Sequence, residues 1–252
     1  MIAQASLAPI PLVTVLLAFT GVFVLLALVV RQARGQRLFA ASSGSVRRGD
    51  PTALAGLAVA LLFAYACTQF VVVRGGPVAG TIGALLGLVL LWMIWRSTLR
   101  HLLVSRGGLA RATGAGLVAL WATLPVVYGL LIVGAKIFGD QTQEAVEMID
   151  DRRVGWQMVV VTALVLAPLF EEVIFRGLLY TMFRRWGRWT AILATAALFG
   201  LIHIDTPTAC VPLAVLGGVL AWMVESTGSL VPSITAHAAF NFLTISQLIW
   251  KG

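Results

Sequence analysis

The sequence predicts an all-α fold, a polytopic bundle of about eight transmembrane helices. Apolar residues make up 60% of the 252-residue chain, charged residues make up 11%, and the mean hydropathy is +0.96. Soluble chains have roughly 45–50% apolar and about 25% charged residues. This composition argues against a soluble enzyme and a disordered chain. The net charge of +8 does not indicate a nucleic-acid partner, because the basic residues lie between apolar runs and form no single stripe.

The individual spans follow from apolar runs near the length of about 20 residues that crosses a ~30 Å hydrocarbon core. We predict spans at 12–30, 54–73, 78–95, 117–138, 156–183, 191–203, 211–224 and 230–250. The sixth and seventh are short, and the 203–212 joint between them is expected to be an ordered turn within the protein.

The loops between these spans differ in charge. Twelve of the 18 Lys and Arg residues follow the first, third and fifth spans: Arg31, Arg34, Arg37, Arg47, Arg48, Arg96, Arg100, Arg106, Arg111, Arg184, Arg185 and Arg188. Because cytoplasmic loops carry an excess of basic residues, these three loops are predicted to be cytoplasmic and both termini external. This orientation fits an integral protein of a bacterial plasma membrane.

The chain divides by chemistry near residue 155. Residues 1–155 are predicted to hold four spans, and none of these spans contains an acidic residue or a motif. Residues 156–250 are predicted to hold four further spans that form a catalytic core. Cys67 and Cys210 lie in or beside apolar runs and are interpreted as small packing residues.

The fifth span contains three ionisable residues, Glu171, Glu172 and Arg176. A charge near the bilayer centre costs about 2.5–3.5 kcal/mol on insertion scales, so these groups are expected to be paired or hydrated. Glu172 and Arg176 are four residues apart and can pair on one helix face. Glu171 is rotated by about 100° from Glu172 and is predicted to face a polar cavity or another helix. Pro168 removes a backbone donor, which favours a kink beside the acidic pair.

Two later spans carry polar residues at a similar depth. Phe199 and His203 share a face of the sixth span, and His237 and Asn241 share a face of the eighth. At 1.5 Å per residue, these side chains lie roughly 10–20 Å from the predicted cytoplasmic surface, as Glu171 does. The sequence therefore predicts one cavity near the middle of the membrane, open towards the cytoplasm.

The order Glu-Glu-x-x-x-Arg, Phe-x-x-x-His and His-x-x-x-Asn resembles the CAAX protease and bacteriocin-processing (CPBP) family, the intramembrane glutamic endopeptidases related to the type II CAAX prenyl protease. The resemblance covers residues 156–250. It implies that Glu171, with His203, activates the water that hydrolyses a peptide bond. His237 and Asn241 are possible donors for an oxyanion hole, and Glu172 and Arg176 are interpreted as support for Glu171. The expected substrate is a peptide or a membrane-associated protein, with or without a lipid modification, and no cofactor is expected.

Two alternatives stay open at this stage. Two Glu and two His residues could bind zinc, although the sequence has no His-Glu-x-x-His motif and Arg176 would repel a cation. The same polar residues could instead stabilise a non-enzymatic membrane protein, either an immunity-type partner or a proton-coupled carrier. A carrier is expected to show repeat symmetry, which the sequence lacks.

Overall fold

The computed structural model describes residues 108–139 and 160–251, and these residues are all-helical. They form five helices: α1 (Leu109–Phe138), α2 (residues 160–186), α3 (Arg188–Leu201), α4 (Pro207–Thr227) and α5 (Val231–Lys251). The all-α class is confirmed for these residues. The first three predicted spans, 12–30, 54–73 and 78–95, lie outside them, so eight spans and the division near residue 155 stay predictions.

The five helices correspond to the five predicted spans in this part of the chain. Within it, α1 and α4 are long and apolar enough to cross a membrane, and α3 is a shorter apolar helix. The sequence predicts that this span begins at residue 211, whereas helix α4 begins at Pro207. Proline suits the first position of a helix, because its fixed φ is helical and no backbone N–H is needed there.

Helix α2 is irregular along most of its length. It consists of a π-helical stretch (Thr162–Leu166), an α-helical stretch (Ala167–Glu172), a second π-helical stretch (Val173–Leu179), a short α-helical stretch (Tyr180–Phe183) and a 3₁₀ turn (Arg184–Trp186). The first π-helical stretch lies just before Pro168, the predicted kink. Because proline lacks an N–H, the hydrogen bonds before it change register.

The middle of helix α2 is enclosed by the other helices. Every residue from 171 to 181 is buried, including three charged side chains. Helices α3, α4 and α5 all pack against it, and α1 packs against α4 and α5. Apolar side chains of all five helices fill one core, among them Leu120, Phe175, Phe199, Leu216 and Phe240. Glu171, Glu172 and Arg176 therefore lie between helices, as the cost of charge in a membrane requires.

Helices α3 and α4 approach each other closely at Gly200. A Cβ atom at this position would lie 2.4 Å from the backbone oxygen of Cys210 and 2.8 Å from the Cβ of Ala214. Helix α3 ends at Leu201, so His203 lies in the turn that follows the helix and not within the predicted span 191–203. The backbone N–H of His203 bonds the oxygen of Gly200, three residues back, and thus ends the α-helical register.

Candidate active site

The centre of the site is an ion pair between Glu172 and Arg176. Arg176 Nη1 donates to Glu172 Oε1 at 2.8 Å, and both side chains are completely buried. This is the pairing that their spacing predicts. Arg176 Nη2 donates across to the backbone oxygen of Gly217 in α4, at 2.9 Å. A Cβ at Gly217 would lie 3.2 Å from Nη2 and 3.1 Å from the Cβ of Phe199, so the missing side chain leaves room for the guanidinium.

His237 connects the two acidic residues. Its Nδ1 lies 3.0 Å from Glu172 Oε1. Because a carboxylate oxygen only accepts, Nδ1 carries the hydrogen and donates it. The other ring nitrogen, Nε2, lies 3.7 Å from Glu171 Oε2. Neutral Nε2 and an ionised carboxylate both accept hydrogen bonds, so attraction between them requires a proton on one of the two groups.

Glu171 is 5% exposed and His237 is 4% exposed, so both groups are largely removed from solvent. Glu171 also lies close enough to Arg176 for their charges to interact. The cluster of Glu171, Glu172, Arg176 and His237 therefore joins α2 to α5 and, through Arg176, to α4.

The ring of Phe199 in α3 packs against several members of this cluster. Its centroid lies 5.5 Å from that of His237 in an edge-to-face arrangement, and the guanidinium carbon of Arg176 lies 4.6 Å from it. The His203 ring lies 5.3 Å away, tilted. Phe199 is thus an apolar contact shared by the two histidines, and His203 is joined to the cluster through it.

The orientation of His203 follows from the end of α3. Because the His203 N–H bonds Gly200, it does not cap the oxygen of Phe199, and His203 Nδ1 lies 2.8 Å from that oxygen. A carbonyl only accepts, so Nδ1 donates and the neutral ring carries its lone pair on Nε2. The side chain is half-buried, and its neighbours Ile202 and Ile204 are exposed. His203 therefore presents a proton-accepting nitrogen at the rim of the described structure.

Asn241 binds an oxygen that the π-helical stretch of α2 leaves without a backbone partner. The N–H of Ala167 bonds Thr162, five residues back, and Pro168 has no N–H to offer. The oxygen of Ala163 consequently accepts from Asn241 Nδ2 at 2.8 Å. One N–H of the Asn241 amide remains available beyond this bond.

Four of the six predicted site residues thus interact directly, namely Glu171, Glu172, Arg176 and His237. His203 is linked to them by Phe199, while Asn241 lies one turn from His237 and holds α2 at Ala163. Among residues 108–139 and 160–251, no group of three or more His, Cys, Asp or Glu side chains is arranged to hold a metal ion.

A second polar cluster, at the end of α2, has no counterpart in the predictions. Arg184 donates to both carboxylate oxygens of Glu225 in α4, at 2.9 and 2.8 Å, and Tyr180 also donates to Glu225. The hydrogen bonds that Arg184 donates to Glu225 raise the pKa of the guanidinium above its usual value. These residues are 41 and 45 positions apart, so only the parallel packing of α2 and α4 brings them together.

Comparison with known protein families gives a match in the later part of the chain. Residues 153–243 match the family model described as Type II CAAX prenyl endopeptidase Rce1-like. The matched range contains Glu171, Glu172, Arg176, His203, His237 and Asn241, and it confirms the resemblance that their motifs indicate. No curated protein and no solved structure matches the chain.

Proposed function

We propose that this protein is an intramembrane endopeptidase of the glutamic type, because residues 153–243 match the Type II CAAX prenyl endopeptidase Rce1-like family model. The family suggests proteolysis in the membrane, and the polar residues of the matched segment suggest its mechanism. The observation that carries it is the buried cluster of Glu171, Glu172, Arg176 and His237 inside the matched segment.

In the proposed reaction, Glu171 is the general base and His203 assists it. A water molecule donates a proton to Glu171 or to Nε2 of His203 while its oxygen bonds to the scissile carbonyl carbon. The carbon–nitrogen bond then breaks as that proton passes to the leaving nitrogen. The hydrogen bond from His203 Nδ1 to Phe199 supports this role, because it leaves the Nε2 lone pair available to accept a proton.

His237 and Asn241 are proposed to donate to the oxyanion that forms on the carbonyl oxygen. His237 would donate from Nε2, which requires a proton on this nitrogen in addition to the one that Nδ1 donates to Glu172. Asn241 would use the N–H that is not bound to Ala163. Donors preorganised in a site of low dielectric constant contribute strongly to such catalysis.

Glu172 and Arg176 are proposed to position the reacting groups. One oxygen of Glu172 accepts from both Arg176 and His237, so it determines the tautomer and orientation of His237. In metal sites, a histidine that donates one ring N–H to a carboxylate is held in a fixed tautomer and orientation in the same way.

The proposed mechanism uses no metal. The Arg176 guanidinium already neutralises Glu172 and interacts with Glu171, so a cation among these carboxylates would be repelled. The proposed substrate is a peptide bond in a membrane-associated protein or peptide, with or without a lipid modification, and it enters from the cytoplasmic side of a bacterial plasma membrane. No nucleic acid takes part.

Cleavage of a fluorogenic peptide panel by the purified, detergent-solubilised protein tests the mechanism. The panel compares the wild type, Glu171→Ala and His203→Ala, each with and without a strong chelator. We expect the wild type to cleave with chelator present and both variants to lose activity while remaining folded.

The zinc alternative makes the opposite prediction for the chelator. Activity that chelator removes and zinc restores would overturn the metal-independent mechanism. A Glu171→Ala variant that cleaves at nearly the wild-type rate would overturn the assignment of the base.

A further inference from the structure

The turn between α2 and α3 presents two arginines and two tryptophans at the end of the bundle. The Trp186 and Trp189 side chains are 55% and 58% exposed, and Arg185 and Arg188 are exposed beside them. Gly187, with φ of 120°, forms the sharp turn between the two Arg–Trp pairs. Tryptophan side chains of this kind favour the interface between lipid and water.

The arginines of this turn differ in their partners. Arg184 is neutralised by Glu225 in a bidentate ion pair. Arg185 and Arg188 make no ion pair with a carboxylate in residues 108–139 and 160–251, although the charge of Glu225 also acts on Arg188 at longer range. The turn between α2 and α3 therefore carries a net charge of two positive units, once Glu225 has neutralised Arg184.

Each of these two arginines stacks on a tryptophan ring. The guanidinium carbon of Arg185 lies 3.8 Å from the Trp186 ring centroid, and that of Arg188 lies 4.9 Å from the Trp189 ring centroid. Stacking uses the face of the planar guanidinium and leaves the N–H groups at its edge available. Those groups match the geometry of phosphate oxygens, which arginine binds in a bidentate manner.

We propose that Arg185 and Arg188, supported by Trp186 and Trp189, bind the phosphate of an anionic phospholipid. The rings lie at the depth of the headgroups, and the guanidinium edges extend to the phosphate. The phosphate of the lipid neutralises Arg185 and Arg188, as the Glu225 carboxylate neutralises Arg184. This binding is independent of the proposed proteolysis, because none of the four residues belongs to the cluster around Glu171.

Fluorescence quenching in reconstituted vesicles tests this proposal. Vesicles of phosphatidylcholine receive either brominated phosphatidylglycerol or brominated phosphatidylcholine, and quenching of tryptophan gives the relative association constant of the two lipids. A basic residue near an anionic surface contributes about 1 kcal/mol, which is roughly fivefold in affinity. We expect the wild type to prefer phosphatidylglycerol by roughly fivefold or more.

The variant Arg185→Gln/Arg188→Gln is expected to lose this preference. Its matched control is Arg111→Gln/Lys136→Gln, which removes the same charge from exposed positions of α1 and should retain the preference. Trp186→Phe/Trp189→Phe should abolish the part of the quenching that is specific to phosphatidylglycerol. An equal preference in the wild type and the Arg185→Gln/Arg188→Gln variant, or an equal loss in the control, would overturn the proposal.

Two further measurements use only the wild type, so they do not depend on whether a variant folds. Sodium chloride at about 1 M, where the Debye length is roughly 3 Å, should bring the preference close to one. Inorganic phosphate should compete no better than sodium chloride of equal ionic strength. Specific competition by inorganic phosphate would show that the turn binds free phosphate and would overturn the lipid site. A lipid preference that sodium chloride leaves unchanged would also overturn the proposal.

Discussion

The most consequential atom of the site is Oε1 of Glu172, which accepts hydrogen bonds from Arg176 and His237. Through it, a residue that is not proposed to touch the substrate controls which nitrogen of His237 faces Glu171. Both side chains of the Glu172–Arg176 pair are fully buried, so each charge is stabilised by its partner and not by water. Loss of one partner is therefore costly at this position.

We expect Arg176→Ala to destabilise the protein by roughly 3–5 kcal/mol, because it leaves the buried Glu172 without its ion pair. Thermal unfolding in detergent, followed by intrinsic fluorescence, measures the change. Arg188→Ala removes the same charge from an exposed position and should leave the unfolding temperature nearly unchanged. A similar small effect for both variants would argue against a structural ion pair.

At the scale of helices, irregular hydrogen bonding supplies the acceptors that orient two predicted site residues. The π-helical stretch before Pro168 leaves the Ala163 oxygen to Asn241, and the end of α3 leaves the Phe199 oxygen to His203. Such π-helical turns are frequent at functional sites. The proline and the histidine were recognisable in the sequence, but the carbonyl groups that they affect were not.

Close packing of α3 against α4 positions the turn that carries His203. Gly200→Ala should separate these helices, since its Cβ would lie 2.4 Å from the Cys210 oxygen, and overpacking of this kind costs about 1–3 kcal/mol. We expect a lower unfolding temperature and slower peptide cleavage. The control is Gly218→Ala in the same interface, whose Cβ would meet Ala196 at an ordinary 3.6 Å. Equal tolerance of both substitutions would contradict the close approach.

At the scale of the whole molecule, the sequence predicted the helical class and the pairing of Glu172 with Arg176 better than the contacts between helices. Charge in an apolar span is costly, so Glu171, Glu172 and Arg176 were conspicuous, and the spacing of the last two predicted their ion pair. Contacts between distant helices, such as His237 with Glu172 or Arg184 with Glu225, depend on how the helices pack. No spacing along one helix contains that information.

Above all, we propose that Glu171 acts as the general base of a membrane-embedded endopeptidase. The most direct measurement is the rate of peptide cleavage by Glu171→Gln, which keeps the size and much of the hydrogen bonding of the side chain but cannot accept the proton. Its unfolding temperature is measured in parallel to establish that it folds. A general base contributes about 10²–10⁴-fold, so we expect a loss of that size with the fold intact. A folded Glu171→Gln protein that cleaves within about threefold of the wild-type rate would contradict the claim.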